Sequence, residues 1–155
     1  MDWQRVETEF EWDGSLRDLY ILDADVEVWQ RVVDTLRSSE YPCCYRVDGN
    51  ECPLPEDVED IFKKRHEASF LLSIDAESIL LNCHFFAEEE VEFDLDPREI
   101  DAEEKLQALF RFMRRIGQAA GRHVIMTPEN AAHYPVFVFS PESGEIRHTP
   151  LGCRP

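Results

Sequence analysis

Residues 70–95 read FLLSIDAESILLNCHFFAEEEVEFDL, and their spacing sets the fold class. Two apolar runs, 70–74 and 79–86, flank the polar stretch Asp75-Ala76-Glu77-Ser78. A second polar turn, 87–90, leads into Val91, Phe93 and Leu95, which alternate with Glu92 and Asp94. Short apolar runs separated by turns predict three antiparallel strands in a meander. In the last strand one face is apolar and the other anionic, because successive side chains point to opposite sides of a sheet.

C-terminal to the meander, Asp101 stands three residues before Glu104, the spacing of a capping box. Leu106, Leu109, Phe110, Met113 and Ile116 then recur at helical spacing, and Gly121 suits the helix end. Residues 124–126, 136–139 and 145–148 read as closing strands, the last two joined by Pro141-Glu142-Ser143-Gly144.

N-terminal to it, Val6, Thr8, Phe10 and Trp12 alternate with Arg5, Glu7, Glu9 and Glu11, the period of a half-buried strand. Asp13-Gly14 suits a tight turn into a returning strand over 16–22. Asp23 or Asp25 can cap a helix in which Val26, Trp29, Val32, Val33 and Leu36 share one face. That helix ends before Pro42. Residues 43–47 form a short strand closed by Asp48-Gly49-Asn50, and Pro53 and Pro55 introduce a short helix, with Pro55 near its first turn and Val58, Ile61 and Phe62 inward. The predicted order is β-β-α-β-α-β-β-β-α-β-β-β. Neighbouring strands and few helices imply one acidic α+β domain over 1–155, a mostly antiparallel sheet with two main helices and one short helix.

Charge is unevenly placed along the chain. Of 33 Asp and Glu, 30 lie in positions 1–104 against nine Lys and Arg, about −21, while positions 105–155 carry about +4. Positions 88–104 hold ten carboxylates and one Arg. Such a field repels nucleic acid and anionic membranes and attracts basic surfaces. The apolar runs are too short to span a bilayer, and the first residues lack the basic and apolar regions of a secretory signal. A cytoplasmic location follows, with five reduced thiols.

Reactive motifs are scarce. Cys43 and Cys44 are adjacent, so in a strand they face opposite ways, unlike zinc-binding pairs. Cys83-His84 diverges for the same reason. His66-Glu67-Ala68-Ser69-Phe70 lacks the second His of a zinc-protease helix. Counted from Asp94, the sixth and twelfth positions of a calcium loop hold Glu99 and Lys105; from Asp23, Val28 and Asp34. Neither pair satisfies the Gly and Glu that such a loop needs. No phosphate loop, nucleophile elbow or dinucleotide fingerprint occurs. Lys63-Lys64-Arg65 and Arg111, Arg114, Arg115 and Arg122 read as cationic helix ends, favourable to the helix dipole. No metal, cofactor or catalytic residue is expected.

The acidic surface remains. A row of like charges on one strand repels itself, and a cationic partner would relieve that repulsion. Glu88, Glu90, Glu92, Asp94 and Asp96 are the candidate partner-binding residues, with Trp3 and Trp12 as aromatic anchors. In class the chain resembles the small acidic α+β proteins that neutralise basic toxins, such as bacterial immunity proteins. The resemblance implies a non-enzymatic binding module of the immunity or inhibitor kind, capturing a basic protein. Two other classes stay open: a small enzyme or ligand-binding protein with a carboxylate and His pocket, and a DNA-mimic inhibitor. An open anionic sheet face favours the first class, a deep pocket the second, and a long double row of carboxylates the third.

Overall fold

The meander becomes part of one broad sheet. The computed structural model describes residues 1–149. In chain order its elements are α1 (Trp3–Val6), a 3-10 turn (Glu7–Phe10), β1 (Arg17–Ile21), α2 (Val26–Arg37), β2 (Cys43–Val47) and β3 (Asn50–Glu51). There follow α3 (Val58–Lys63), β4 (Phe70–Ala76), β5 (Ile79–Ala87), β6 (Glu90–Leu95) and a second 3-10 turn (Pro97–Glu99). The described chain ends with α4 (Glu103–Ala120), β7 (Val124–Pro128), β8 (Phe137–Ser140) and β9 (Glu145–His148). The strands lie in the order β3-β2-β4-β5-β6-β1-β7-β8-β9, and every neighbouring pair is antiparallel. The protein is an α+β fold. Among the described residues no helix is long and apolar enough to cross a membrane.

The helices cover one face. Leu19, Leu72, Cys83, Phe93 and Met126 occupy matching positions on five strands and join one core with the apolar stripes of the helices. Trp29 of α2 lies edge-on to Phe62 at 5.1 Å and stacked with Phe85 at 5.0 Å. Phe112 of α4 meets Phe93 edge-on at 5.2 Å, as Phe110 meets Phe137. Such aromatic pairs add about 0.5–1.5 kcal/mol beyond the burial itself. Asp25 caps α2, its carboxylate accepting from the Val28 amide at 2.8 Å. Gly121 ends α4 in the left-handed region, φ 63°, where a side chain is disfavoured.

Several expectations need correction. Residues 6–12 are not a strand, and Asp13-Gly14 is not a hairpin. The buried residues there are Val6 and Phe10, four apart, with Thr8 and Trp12 exposed. Trp3, Val6 and Phe10 instead form a helical stripe, Trp3 stacking on Phe10 at 5.9 Å. Buried Arg17 holds the segment that precedes it, donating to the Glu9 and Glu11 carbonyls at 3.0 Å each. The capping box at Asp101 also does not form. The helix starts two residues later, with Ala102 as its uncapped N-cap and Asp101 exposed. Pro55 lies before the first turn of α3, whose N-cap is Asp57. The first meander turn narrows to Glu77 and Ser78, both at positive φ, 56° and 70°. Cys153, one of the five expected thiols, lies outside the described residues.

Candidate functional site

Because the helices take one face, the other face of the sheet carries no helix, and its side chains on β4, β5 and β6 are partly exposed while Asp18, Tyr20 and Thr127 on β1 and β7 are buried. Period two along each strand decides which side chains stand there. On β6 these are Glu90, Glu92 and Asp94, half-buried, while Val91, Phe93 and Leu95 turn to the core. Cross-strand register places Asp18 and Tyr20 of β1 opposite Asp94 and Glu92 on one side. On the other side Asn82 and His84 of β5 oppose the same two residues. The centre of the face is therefore a patch of three carboxylates, a tyrosine, a histidine and an amide, with Glu90 at its end.

Hydrogen bonds order this patch. His84 Nε2 and Asp94 Oδ2 are 2.5 Å apart, and Asn82 donates to the other Asp94 oxygen at 3.5 Å. Ser73 of β4 donates to Asn82 at 2.9 Å. Tyr20 donates its hydroxyl to Asp18 at 3.0 Å, and the same Asp18 oxygen accepts the Asn130 amide at 2.7 Å. The chain after β7 thus reaches Asp18, which is only 2% exposed.

Electrostatics follow from the crowding. Burial raises the Asp18 carboxyl above its ordinary range, opposed in part by the Asn130 and Tyr20 hydrogen bonds. Glu92 is raised by burial and then by the charges of Asp18 and Glu90. His84 is raised chiefly by its bond to Asp94. Tyr20 is raised by burial and then by Asp18, so it stays a neutral donor. Among the described residues no Lys or Arg pairs with Glu90, Glu92 or Asp94. Arg46 shares the face but stands three strand spacings from Glu92 through His84 and Leu71, about 14 Å at the usual spacing.

The structure separates the seven candidate residues read from the sequence. Glu90, Glu92 and Asp94 share the open face. Glu88 lies in the β5–β6 turn, beside Asp25 and Glu27 at the start of α2. Asp96 caps the second 3-10 turn and takes a bidentate ion pair from Arg98, which lowers its carboxyl below the usual range. Trp3 packs against the core rather than outward. Trp12 is exposed, with the Arg98 guanidinium 3.9 Å over its ring.

Asp18, Tyr20, Asn82 and His84 were not among those candidates. Alternation within 16–22 and 79–86 does place each opposite the apolar side of its strand. Only strand pairing, however, puts β1 beside β6. No group of three or more His, Cys, Asp or Glu among the described residues is arranged to hold a metal ion. Comparison with protein-family models, curated proteins and solved structures finds no match to the chain.

Proposed function

We propose that the protein is a non-enzymatic binding module, of the immunity or inhibitor kind, that captures a basic protein partner on the open face of its sheet. The observation that carries this reading is the contiguous group Glu90, Glu92 and Asp94, backed by buried Asp18, with no Lys or Arg of the described chain to neutralise it. Carboxylates held near one another cost stability that a docked cation returns. The net charge of −17 steers a basic partner toward encounter from a distance.

The other two classes draw less support. His84 and Asp94 spend their mutual hydrogen bond on each other at the surface of a sheet. The carboxylates are interrupted by Tyr20, Asn82 and His84, unlike the two long rows of a phosphate mimic.

The test is affinity capture from native lysate, followed by stopped-flow kinetics on a retained basic protein. Association should slow steeply with salt, since surface fields are screened within about 8 Å at physiological ionic strength. The double charge reversal Glu90→Lys/Glu92→Lys should lower the association rate about tenfold or more at low salt. Salt-independent association, or a reversal without effect, would remove the acidic face from function.

A further inference from the structure

We propose that Phe86, together with Glu90 and Glu92, forms a site that reads an arginine side chain of the partner, stacking the guanidinium on the ring and pairing it with the carboxylates. This rests on the open face being the cation-binding surface, and it names the chemistry bound there.

Phe86 is 66% exposed, the highest among the exposed large hydrophobic side chains of the described chain. Single exposed apolar residues are common, so its setting decides the matter. The β5–β6 register shifts between His84 and Ala87, leaving Phe85 and Phe86 opposite Val91 alone. Bulges of this kind re-aim side chains. Phe85 enters the core while Phe86 stays on the open face, parallel to the His84 ring at 4.9 Å and 3°. Asp94 fixes that imidazole, so one face of the Phe86 ring is backed and held. Glu92 stands directly across from His84, and Glu90 across from Ala87. An aromatic plane and two carboxylates therefore share one end of the anionic patch.

The chain builds the same combination twice from its own residues. Arg98 lies 3.9 Å over Trp12 and is held bidentately by Asp96. Arg115 lies 4.9 Å over Tyr41 and is held bidentately by Glu40. Phe86 with Glu90 and Glu92 has the aromatic and acidic parts, but no described Lys or Arg pairs with these carboxylates or lies over this ring. Guanidinium suits the site better than ammonium, being planar, weakly hydrated and able to stack and pair at once.

The experiment measures fluorescence anisotropy of labelled nona-arginine and nona-lysine at low salt. Wild-type protein should bind nona-arginine more tightly. Phe86→Ala and Phe86→Leu should each weaken nona-arginine about two- to fivefold, the range of an exposed cation–π contact, and weaken nona-lysine less. Phe86→Trp should keep the preference. Circular dichroism checks that each variant is folded, and the comparison of the two peptides on wild-type protein needs no variant. Equal affinity for both peptides, or equal loss for both in Phe86→Ala, overturns the arginine site. In that case the acidic face still stands if Glu90→Lys/Glu92→Lys weakens both peptides and the control Glu56→Lys/Glu59→Lys, on the helix side, does not. If neither peptide responds to the Glu90 and Glu92 reversal, the wider proposal fails as well.

Discussion

Gly117 marks the closest approach of α4 to the sheet: a methyl group there would lie 2.3 Å from Phe139 Cδ1 and 2.9 Å from Val124 Cγ2. Alanine is ordinarily better than glycine inside a helix by about 1 kcal/mol. Here overpacking outweighs that gain, so Gly117→Ala should destabilise the fold by about 1–3 kcal/mol in urea denaturation. The double change Gly117→Ala/Phe139→Leu should recover part of the loss, and a stabilised single variant would refute the contact. His84 gives a second test at this scale. Its folded pKa is raised above 6.5 by Asp94, so its contribution is fully present below about pH 6.5. That contribution is lost as pH rises through the folded value. The stability gap between wild type and His84→Gln should therefore be wider at pH 6 than at pH 9, by urea midpoint at both. An equal gap would deny the pair its role. Gly117 is visible in the sequence only as a glycine in a helical stripe, since nothing local reveals Phe139 above it.

Among the elements, α4 was the most legible. Leu106, Leu109, Phe110, Met113 and Ile116 are all buried, because an amphipathic stripe five turns long leaves no other way to bury its apolar side. Leu109→Ala or Phe110→Ala should each cost about 2–5 kcal/mol, and chemical denaturation showing less than about 1 kcal/mol for both would contradict their place in the core. The first residues of the chain were illegible for an equally physical reason. Val6 and Phe10 are four apart, a spacing that fits both an alternating strand and a helix turn. The choice between them came from distant partners: Phe137 stacks on Phe10 at 6.0 Å, and Glu103 accepts the Trp3 amide at 3.0 Å. The failed capping box shows the same limit, as buried Ile100 leaves Asp101 exposed before the helix starts.

For the whole molecule, a net charge of −17 brings self-repulsion that burial must outweigh. Unfolding temperature should rise as salt increases from low ionic strength, since screening relieves a net charge of −17 more in the folded chain than in the expanded one. Glu92 should contribute out of proportion, being raised by burial and by Asp18 and Glu90. A carboxylate with a raised folded pKa contributes stability at low pH that is lost as pH rises through that value, so above it the charge is a cost. Glu92→Gln should raise the unfolding temperature by about 1–4 °C, from the usual size of one like-charge contact and the usual temperature shift for a chain of this length. A fall in unfolding temperature, measured by calorimetry, would mean that the carboxylate makes stabilising contacts instead.

The sequence by itself determined the α+β class, the meander, the two long helices, the anionic side of β6 and the segregation of charge. Each of these depends on periodicity or composition within a few residues, which local sterics and burial translate directly into structure. Only the tertiary structure decided that β1 inserts between β6 and β7, which sets Asp18 and Tyr20 against Asp94 and Glu92. It alone diverted Asp96 and Trp12 to Arg98, and turned Phe86 outward on a bulge against His84. Strand order and register are settled by the packing of the whole sheet against its helices, and no window of neighbouring residues contains that information.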